Sequence, residues 1–168
     1  MELSFKYRFE AAHRFTDAGS KCSTPHGHTW WVTLNLSHKA QYIDLSKNFA
    51  TDFKDLKKDW RSFIDRDLDH HFFLNSQDNL AHHLKETEPN LNLKLTPGDP
   101  TTEVLASLFF KKAQGLLKHL KHIEVLSILL EETPTNSVLV KKEDAEEILQ
   151  RLYKQEEKQD LKTPTWWL

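Results

Sequence analysis

The first dozen residues alternate in polarity, with Leu3, Phe5, Tyr7 and Phe9 on one side and Ser4, Lys6, Arg8 and Glu10 on the other. Strand side chains point alternately to opposite faces, so this pattern predicts a half-buried strand over residues 2–13, ending with His13 on the apolar side. Residues 14–25 carry Asp17, Gly19, Ser20, Ser23, Thr24 and Pro25, a loop composition. Alternation resumes over residues 26–37: Trp30, Val32, Leu34 and Leu36 share the face of His26 and His28, and Thr29, Trp31, Thr33 and Asn35 lie opposite. The two strands can pair antiparallel across the loop, which sets His13 beside His26 and His28. Gly27, lacking a side chain, would let a metal or another backbone approach that strand closely.

From Asp52 to about Leu68 the period changes. Phe53, Leu56, Trp60, Phe63 and Ile64 recur at steps of three and four, an amphipathic helix with Thr51 or Asp52 as its cap. It runs into Leu68-Asp69-His70-His71-Phe72-Phe73-Leu74-Asn75. Residues 76–100 are polar and broken by Pro89, Pro97, Gly98 and Pro100, and read as a long excursion with a short helix around residues 79–85. Pro100-Thr101-Thr102-Glu103 opens a second long helix with Leu105, Leu108, Phe109, Ala113, Leu116 and Leu117 on one stripe. Residues 122–132 predict a third strand, apolar on both faces and therefore expected to be covered twice. Residues 137–141 predict a short fourth strand. A charged helix over 143–158 and a tail, Trp166-Trp167-Leu168, follow. Terminal tryptophans are seldom left in water when ordered, so the tail is expected to dock, another subunit being one candidate surface.

The order strand, strand, helix, then helix, strand, strand predicts an α+β fold: a four-stranded antiparallel sheet with both long helices packed on one face, plus a C-terminal helical extension. A single domain over residues 1–168 is expected, with its core at about 1–141. The second sheet face, read as rich in aromatic and aliphatic residues, predicts oligomerisation.

Composition narrows the function. The 168 residues carry 23 basic and 25 acidic side chains, a net charge of −2, which gives no overall pull toward nucleic acid or membrane. The one cysteine, Cys22, cannot make an internal disulfide and fits a reducing compartment. With no apolar run long enough to span a bilayer and no leader pattern, a soluble cytoplasmic protein is expected. Ten histidines, several adjacent (His70-His71, His82-His83), direct attention to metal or proton chemistry.

Three neutral imidazoles with an open fourth position form the ligand set of a catalytic zinc, a Lewis acid that polarises an oxygen. His13, His26 and His28 are the candidates, although a His-Gly-His pair at a strand end is as often simply a pair of surface histidines. Cys22 stands four residues before His26 in a polar loop, where a nearby dication favours the ionised form of a thiol. Asp69-His70 is a candidate proton shuttle, because a carboxylate fixes an imidazole's tautomer and raises its basicity; the alternative is a charged helix end. Glu131-Glu132-Thr133 closes an apolar strand. A carboxylate there would suit a ligand with adjacent N–H donors, such as a 2-aminopyrimidinone ring, and a solvated strand end is the competing reading. Glu103 on its own reads as a first-turn glutamate suited to the helix dipole.

Taken in order, Phe9-Glu10-Ala11-Ala12-His13, Cys22-x3-His26-Gly27-His28, Asp52-Phe53-x2-Leu56-Lys57, Leu68-Asp69-His70-His71-x2-Leu74-Asn75, Pro100-Thr101-Thr102-Glu103 and Glu132-Thr133 resemble the 6-pyruvoyltetrahydropterin synthase and 6-carboxytetrahydropterin synthase (QueD) superfamily over about residues 3–140. The resemblance implies the T-fold (tunnelling fold), with trimers stacked as homohexamers and active sites at subunit interfaces. It implies zinc on His13, His26 and His28, a catalytic Cys22, a relay of Asp69 and His70, and Glu132 as the pterin anchor. It also implies pterin contacts at Thr101, Thr102 and Glu103. The three-residue spacing between the cysteine and His-Gly-His resembles the QueD branch. The implied reaction converts 7,8-dihydroneopterin triphosphate to 6-carboxy-5,6,7,8-tetrahydropterin, acetaldehyde and triphosphate, on the path to queuosine.

The sequence departs from the family at Asn48-Phe49-Ala50-Thr51, where a glycine is usual, and in the excursion at 76–100 and the extension beyond about 141. Arg14 and Lys21 are the loop cations nearest the site and the candidates for the triphosphate. Competing readings are a pyruvoyl-type or sepiapterin-cleaving relative, and a non-catalytic zinc- or pterin-binding module. A cupin-like barrel would want a glutamate shortly after His-x-His, and Thr29-Trp30-Trp31-Val32 offers none.

Overall fold

The computed structural model describes residues 1–16, 19, 21–47, 52–157 and 165–168. The loop positions Asp17 and Ser20, the segment 48–51 with the alternative cap Thr51, and Lys158 lie outside the described residues.

The two alternating stretches become β1 (Glu2–His13) and β2 (His26–His38), paired antiparallel from Glu2↔Ser37 to His13↔His26. Their common apolar face supplies Phe5, Phe9, Ala11, Trp30, Val32, Leu34 and Leu36 to the main core. The first helix, α1 (Phe53–Phe63), is capped by Asp52, whose carboxylate accepts from Lys54 N at 2.8 Å, and it lays Leu56, Trp60 and Phe63 on that face. α3 (Thr102–Leu117) covers the same face with Leu105, Phe109 and Ala113; between it and α1 lie β3 (His71–Asn75), α2 (Asn79–Thr87) and β4 (Leu93–Thr96). Fully burying one of these large apolar side chains is worth about 1.5–3 kcal/mol, so stacking the helices on one sheet face is the dominant stabilising choice.

β5 (Ile123–Thr133) and β6 (Asn136–Lys141) extend the sheet beyond β2. The order is β4-β3-β1-β2-β5-β6, with β3 parallel to β1 and β4 parallel to β3. Among the described residues the sheet therefore has six strands and is mixed, which corrects the four-stranded antiparallel expectation. Both extra strands are short: β3 follows directly from the apolar end of a helix, and β4 lies inside the supposed excursion. The helix α2, near residues 79–85, is present there.

β5 is covered by the chain's helices on one face, not two. A register shift at Asn35/Leu36 of β2 faces Leu36 with Val125 and Asn35 with Ser127, so Val125 and Ile128 both turn to the core despite their odd spacing. The opposite sheet face is largely polar: Ser4 donates to Asn35, Asn35 to Ser127, and Lys6 pairs with Glu131 at 2.6 Å. Trp31 stands there 40% exposed under the Lys6 ammonium. Leu139 of β6, opposite Leu129, is also exposed on that face, so among the described residues the apolar surface on which oligomerisation was expected is present only in part.

The chain ends in α4 (Lys142–Glu157), packed on α3, and the tail docks on its own chain rather than requiring another: Trp167 is fully buried with Leu108 and Leu149. No helix among the described residues is long and apolar enough to cross a membrane.

Candidate metal centre

The β1–β2 register puts His13 directly opposite His26, and His28 opposite Ala11, all on the core face at one end of the sheet. Their ring centroids lie 4.5 Å (His13–His26), 5.1 Å (His13–His28) and 5.0 Å (His26–His28) apart, and one nitrogen from each falls within 4.8 Å of the others. The expected convergence of the three imidazoles is thus present. Trp30 floors the site edge-on to His13 and His28 and donates from Nε1 to the Ala11 carbonyl at 3.1 Å.

Hydrogen bonds orient two of the rings. His13 Nδ1 lies 2.9 Å from the Pro100 carbonyl and His26 Nδ1 lies 2.8 Å from the Thr24 carbonyl. A carbonyl only accepts, so each ring carries its proton on Nδ1 and offers the lone pair of Nε2. His13 Nε2 and His28 Nε2 are buried with no hydrogen-bond partner. Burial pushes His13 down to about 4, partly offset by the Pro100 bond, and also lowers His28, with Glu132 opposing it. Neutral imidazoles at neutral pH, with orphaned nitrogens aimed at one point, fit a divalent ion with nitrogen ligands.

Glycine is not sterically required at position 27. A Cβ there would sit 3.5 Å from the Ala11 carbonyl oxygen, ordinary contact.

The two strand-end glutamates part company by the period of the strand. Glu131 turns to Lys6 on the polar face, whereas Glu132 turns to the histidines, with Oε1 3.5 Å from His13 Nε2 and 3.9 Å from His28 Nε2. Ligand atoms bound tetrahedrally at about 2.1 Å sit roughly 3.4 Å apart, so this carboxylate lies within reach of the same ion or of a molecule bound to it.

Asp69 and His70 follow a π-helical turn, Ile64–Leu68, in which Asp69 N donates to Ile64 O at 2.9 Å. Such wide turns recur at functional sites. His70 has a φ of 55°, a left-handed conformation unfavourable for a residue with a side chain. Asp69 Oδ1 accepts from Glu10 N at 2.8 Å, while its Oδ2 stays 3.8 Å from His70 Nε2, beyond hydrogen-bond length. The His70 side chain is exposed and borders, with His28, Glu10 and Thr29, a groove of about 440 Å³.

Cys22 is half-buried in a 3-10 turn, Lys21–Ser23. Its carbonyl accepts from Phe15 N at 2.9 Å, which ties the turn to the chain just past His13. Thr101 caps α3, its hydroxyl accepting from Val104 N at 3.3 Å; Thr102 is buried and Glu103 exposed. These three follow immediately on Pro100, the partner of His13.

Two features were not legible as site elements in the sequence. Asp99 accepts from Thr16 N at 3.0 Å and from Asn75 Nδ2 at 2.9 Å, knitting the cysteine loop to β3. Arg14, a triphosphate candidate, is instead held in a two-pronged pair with Asp78, Nε to Oδ2 at 2.7 Å and Nη2 to Oδ1 at 2.6 Å. The guanidinium in turn holds the Asp78 carboxyl below its usual range. Lys21 is exposed. Neither partnership had a local signal, because the partners are 24 to 83 residues apart.

A sequence description of the family named 6-pyruvoyl tetrahydropterin synthase matches residues 2–143. The chain is 28% identical over 137 residues to the 6-carboxy-5,6,7,8-tetrahydropterin synthase of Haemophilus influenzae, spanning 80% of this chain and 94% of that protein. It is 26% identical over 127 residues to a probable 6-carboxy-5,6,7,8-tetrahydropterin synthase of Halobacterium salinarum, with 76% and 77% covered. Among solved structures, an uncharacterized Wolinella succinogenes protein superposes with a TM-score of 0.69 at 18% identity, covering 84% of this chain and 98% of that one. The Caenorhabditis elegans 6-pyruvoyl tetrahydropterin synthase does so with a TM-score of 0.61 at 22% identity, covering 84% and 94%. At these identities the structural likeness carries the fold.

Proposed function

Since the chain belongs to the 6-pyruvoyl tetrahydropterin synthase family, we propose that it is a zinc-dependent lyase of the 6-carboxytetrahydropterin synthase type. It would convert 7,8-dihydroneopterin triphosphate and water to 6-carboxy-5,6,7,8-tetrahydropterin, acetaldehyde and triphosphate in queuosine biosynthesis. The observation that carries this reading is the convergence of His13, His26 and His28, with the orphaned Nε2 atoms of His13 and His28 next to the Glu132 carboxylate. The three-residue spacing from Cys22 to His26 and the two carboxy-type relatives favour this branch.

His13, His26 and His28 would hold the zinc through Nε2. Bound there, zinc supplies Lewis-acid polarisation of the substrate's side-chain oxygens, acidifying the neighbouring C–H and O–H bonds. Glu132 grips the N–H edge of the pterin ring, a charge-assisted pair of hydrogen bonds that fixes the ring's orientation. Thr101, Thr102 and Glu103, at the start of α3, complete the pterin contacts. Cys22 takes a proton as general base, and His70, beside Asp69, moves protons on the other side. The shared groove of His28 and His70 supports a relay that acts close to the metal.

The working unit is proposed to be a homohexamer, a dimer of trimers. In support, among the described residues β1 pairs with β3 only over Ala11–His13, which leaves its remaining length as an unpaired sheet edge there, and β6 ends the sheet on the other side. A pyruvoyl-type activity would use the same ligands and differs in product, since only the carboxy branch releases acetaldehyde.

The test is metal analysis of the purified chain together with a product assay on dihydroneopterin triphosphate. Zinc bound in the parent and lost in His26→Ala, with acetaldehyde and triphosphate formed, supports the proposal. A pyruvoyl product reassigns the branch, and metal-loaded protein without turnover leaves a binding module. Cys22→Ala should keep its metal and lose turnover; activity near the parent's would remove the thiol from the chemistry.

A further inference from the structure

The family match stops at residue 143, so nearly all of α4 and the whole tail lie beyond it. These elements grip one stretch of chain. Leu152 of α4 packs on Gly98 so closely that a Cβ there would come within 2.8 Å of Leu152 Cδ2. Trp166 donates from Nε1 to the Leu95 carbonyl at 2.7 Å, and its ring lies against Phe63, Phe73 and Phe109. Trp167 donates to Tyr153 Oη at 2.8 Å, tying the tail to α4, and Lys112 of α3 donates to the Leu168 carbonyl oxygen at 3.0 Å.

The gripped stretch, Leu95–Pro100, ends at the metal centre. The buried Thr96 hydroxyl donates to the Gly98 carbonyl at 2.6 Å. Asp99 holds Thr16 and Asn75, and the Pro100 carbonyl accepts from His13 Nδ1 at 2.9 Å. Pro97 and Pro100 offer no backbone N–H to a ladder and Gly98 has the widest conformational freedom, so the position of this connection rests on the side-chain bonds of Thr96 and Asp99 and on the contacts from the extension.

We propose that the C-terminal extension is a brace that presets the metal centre. Leu152 and Trp166 are positioning residues: they hold the Leu95–Pro100 connection so that the Pro100 carbonyl keeps His13 in the tautomer and orientation a divalent ion needs. This rests on reading the three imidazoles as metal ligands. Without the clamp, the competent arrangement is one of several, and apparent affinity falls by the fraction of time it is populated.

The test is zinc affinity of the full chain by chelator competition, with thermal midpoints, for the parent, Trp166→Ala, Trp166→Phe and Val140→Ala. Val140 is buried in β6, in the main core and outside the connection, so its truncation lowers stability without touching the brace. Trp166→Ala is expected to weaken zinc about three- to tenfold, less than the roughly 10–100-fold typical when a ligand's own partner is lost. Trp166→Phe keeps a ring without the Nε1 donor and should fall between, while Val140→Ala keeps the parent's affinity at a lower midpoint. Parent-like zinc binding in both Trp166 variants, or an equal loss in Val140→Ala, overturns the brace. Should Trp166→Ala fail to fold, Trp166→Phe against Val140→Ala decides on the same terms. Zinc binding indifferent to His26→Ala removes the metal reading and the brace with it, whereas a His26-dependent site indifferent to Trp166 removes the brace alone.

Discussion

Glu132 Oε1 lies 3.5 Å from His13 Nε2, so the carboxylate proposed to hold the pterin shares its space with the proposed metal. Under the proposed function a single side chain facing both partners would couple ring recognition to metal chemistry, because a ring gripped by Glu132 would be delivered beside the ion.

Glu132→Gln keeps the shape and removes the charge that two N–H donors need. The expected outcome is a fall in kcat/KM of about two orders of magnitude, in line with roughly 1.5–3 kcal/mol for a hydrogen bond to a charged group. Metal content, measured on the same preparation, should stay near the parent's. Loss of metal instead would make Glu132 a ligand first.

Asp69→Asn separates the relay from the scaffold. Asn can still accept from Glu10 N, as Asp69 Oδ1 does at 2.8 Å, so thermal stability should change little. The negative charge beside His70 disappears, and kcat is expected to fall about 10²-fold or more with KM and metal content retained. An unchanged kcat would return the pair to the status of a helix-end ornament.

The metal-free chain should lose stability on mild acidification. His13 stays neutral in the folded state down to about 4, while an unfolded histidine protonates near 6.5. Protons therefore favour the unfolded chain between these values. The contribution is complete above about pH 6.5, drains away as pH falls toward 4, and levels off below. At about 1.4 kcal/mol per pKa unit the loss is of the order of a few kcal/mol, and His28, also lowered by burial, acts in the same direction. Urea midpoints of chelator-treated protein between pH 7 and 4 check this, and His13→Gln should flatten part of the slope.

Arg14→Ala tests the reassignment of that cation. Asp78 is almost fully buried, and losing its partner leaves a carboxylate without its counter-charge. Breaking a buried pair from one side costs about 3–5 kcal/mol, and the partial exposure of Arg14 discounts this to about 2–3 kcal/mol by urea denaturation. In protein that remains folded, KM for the triphosphate should stay close to the parent's. A large rise in KM at unchanged stability would restore Arg14 to substrate binding.

Local periodicity by itself determined that β1, β2, β5, β6 and both long helices exist, and the face on which β1, β2 and the two helices pack, because the alternation of Leu3 to Phe9 and the three- and four-residue steps of Leu56, Trp60 and Phe63 are set by backbone geometry alone. The packing face of β5 was decided by the register shift against β2. Periodicity likewise placed the three histidines on one face, since a hairpin needs only adjacent segments. Only the tertiary structure decided the rest. His71–Asn75 and Leu93–Thr96 are too short to announce a period, and they exist as strands because parallel pairing with distant partners satisfies their backbone. The Pro100 carbonyl that orients His13 is 87 residues away, and Asp78 meets Arg14 across 64. The Trp166 indole reaches Leu95 across 71 residues. Such contacts leave no trace in spacing, because chain closure rather than local geometry brings them together.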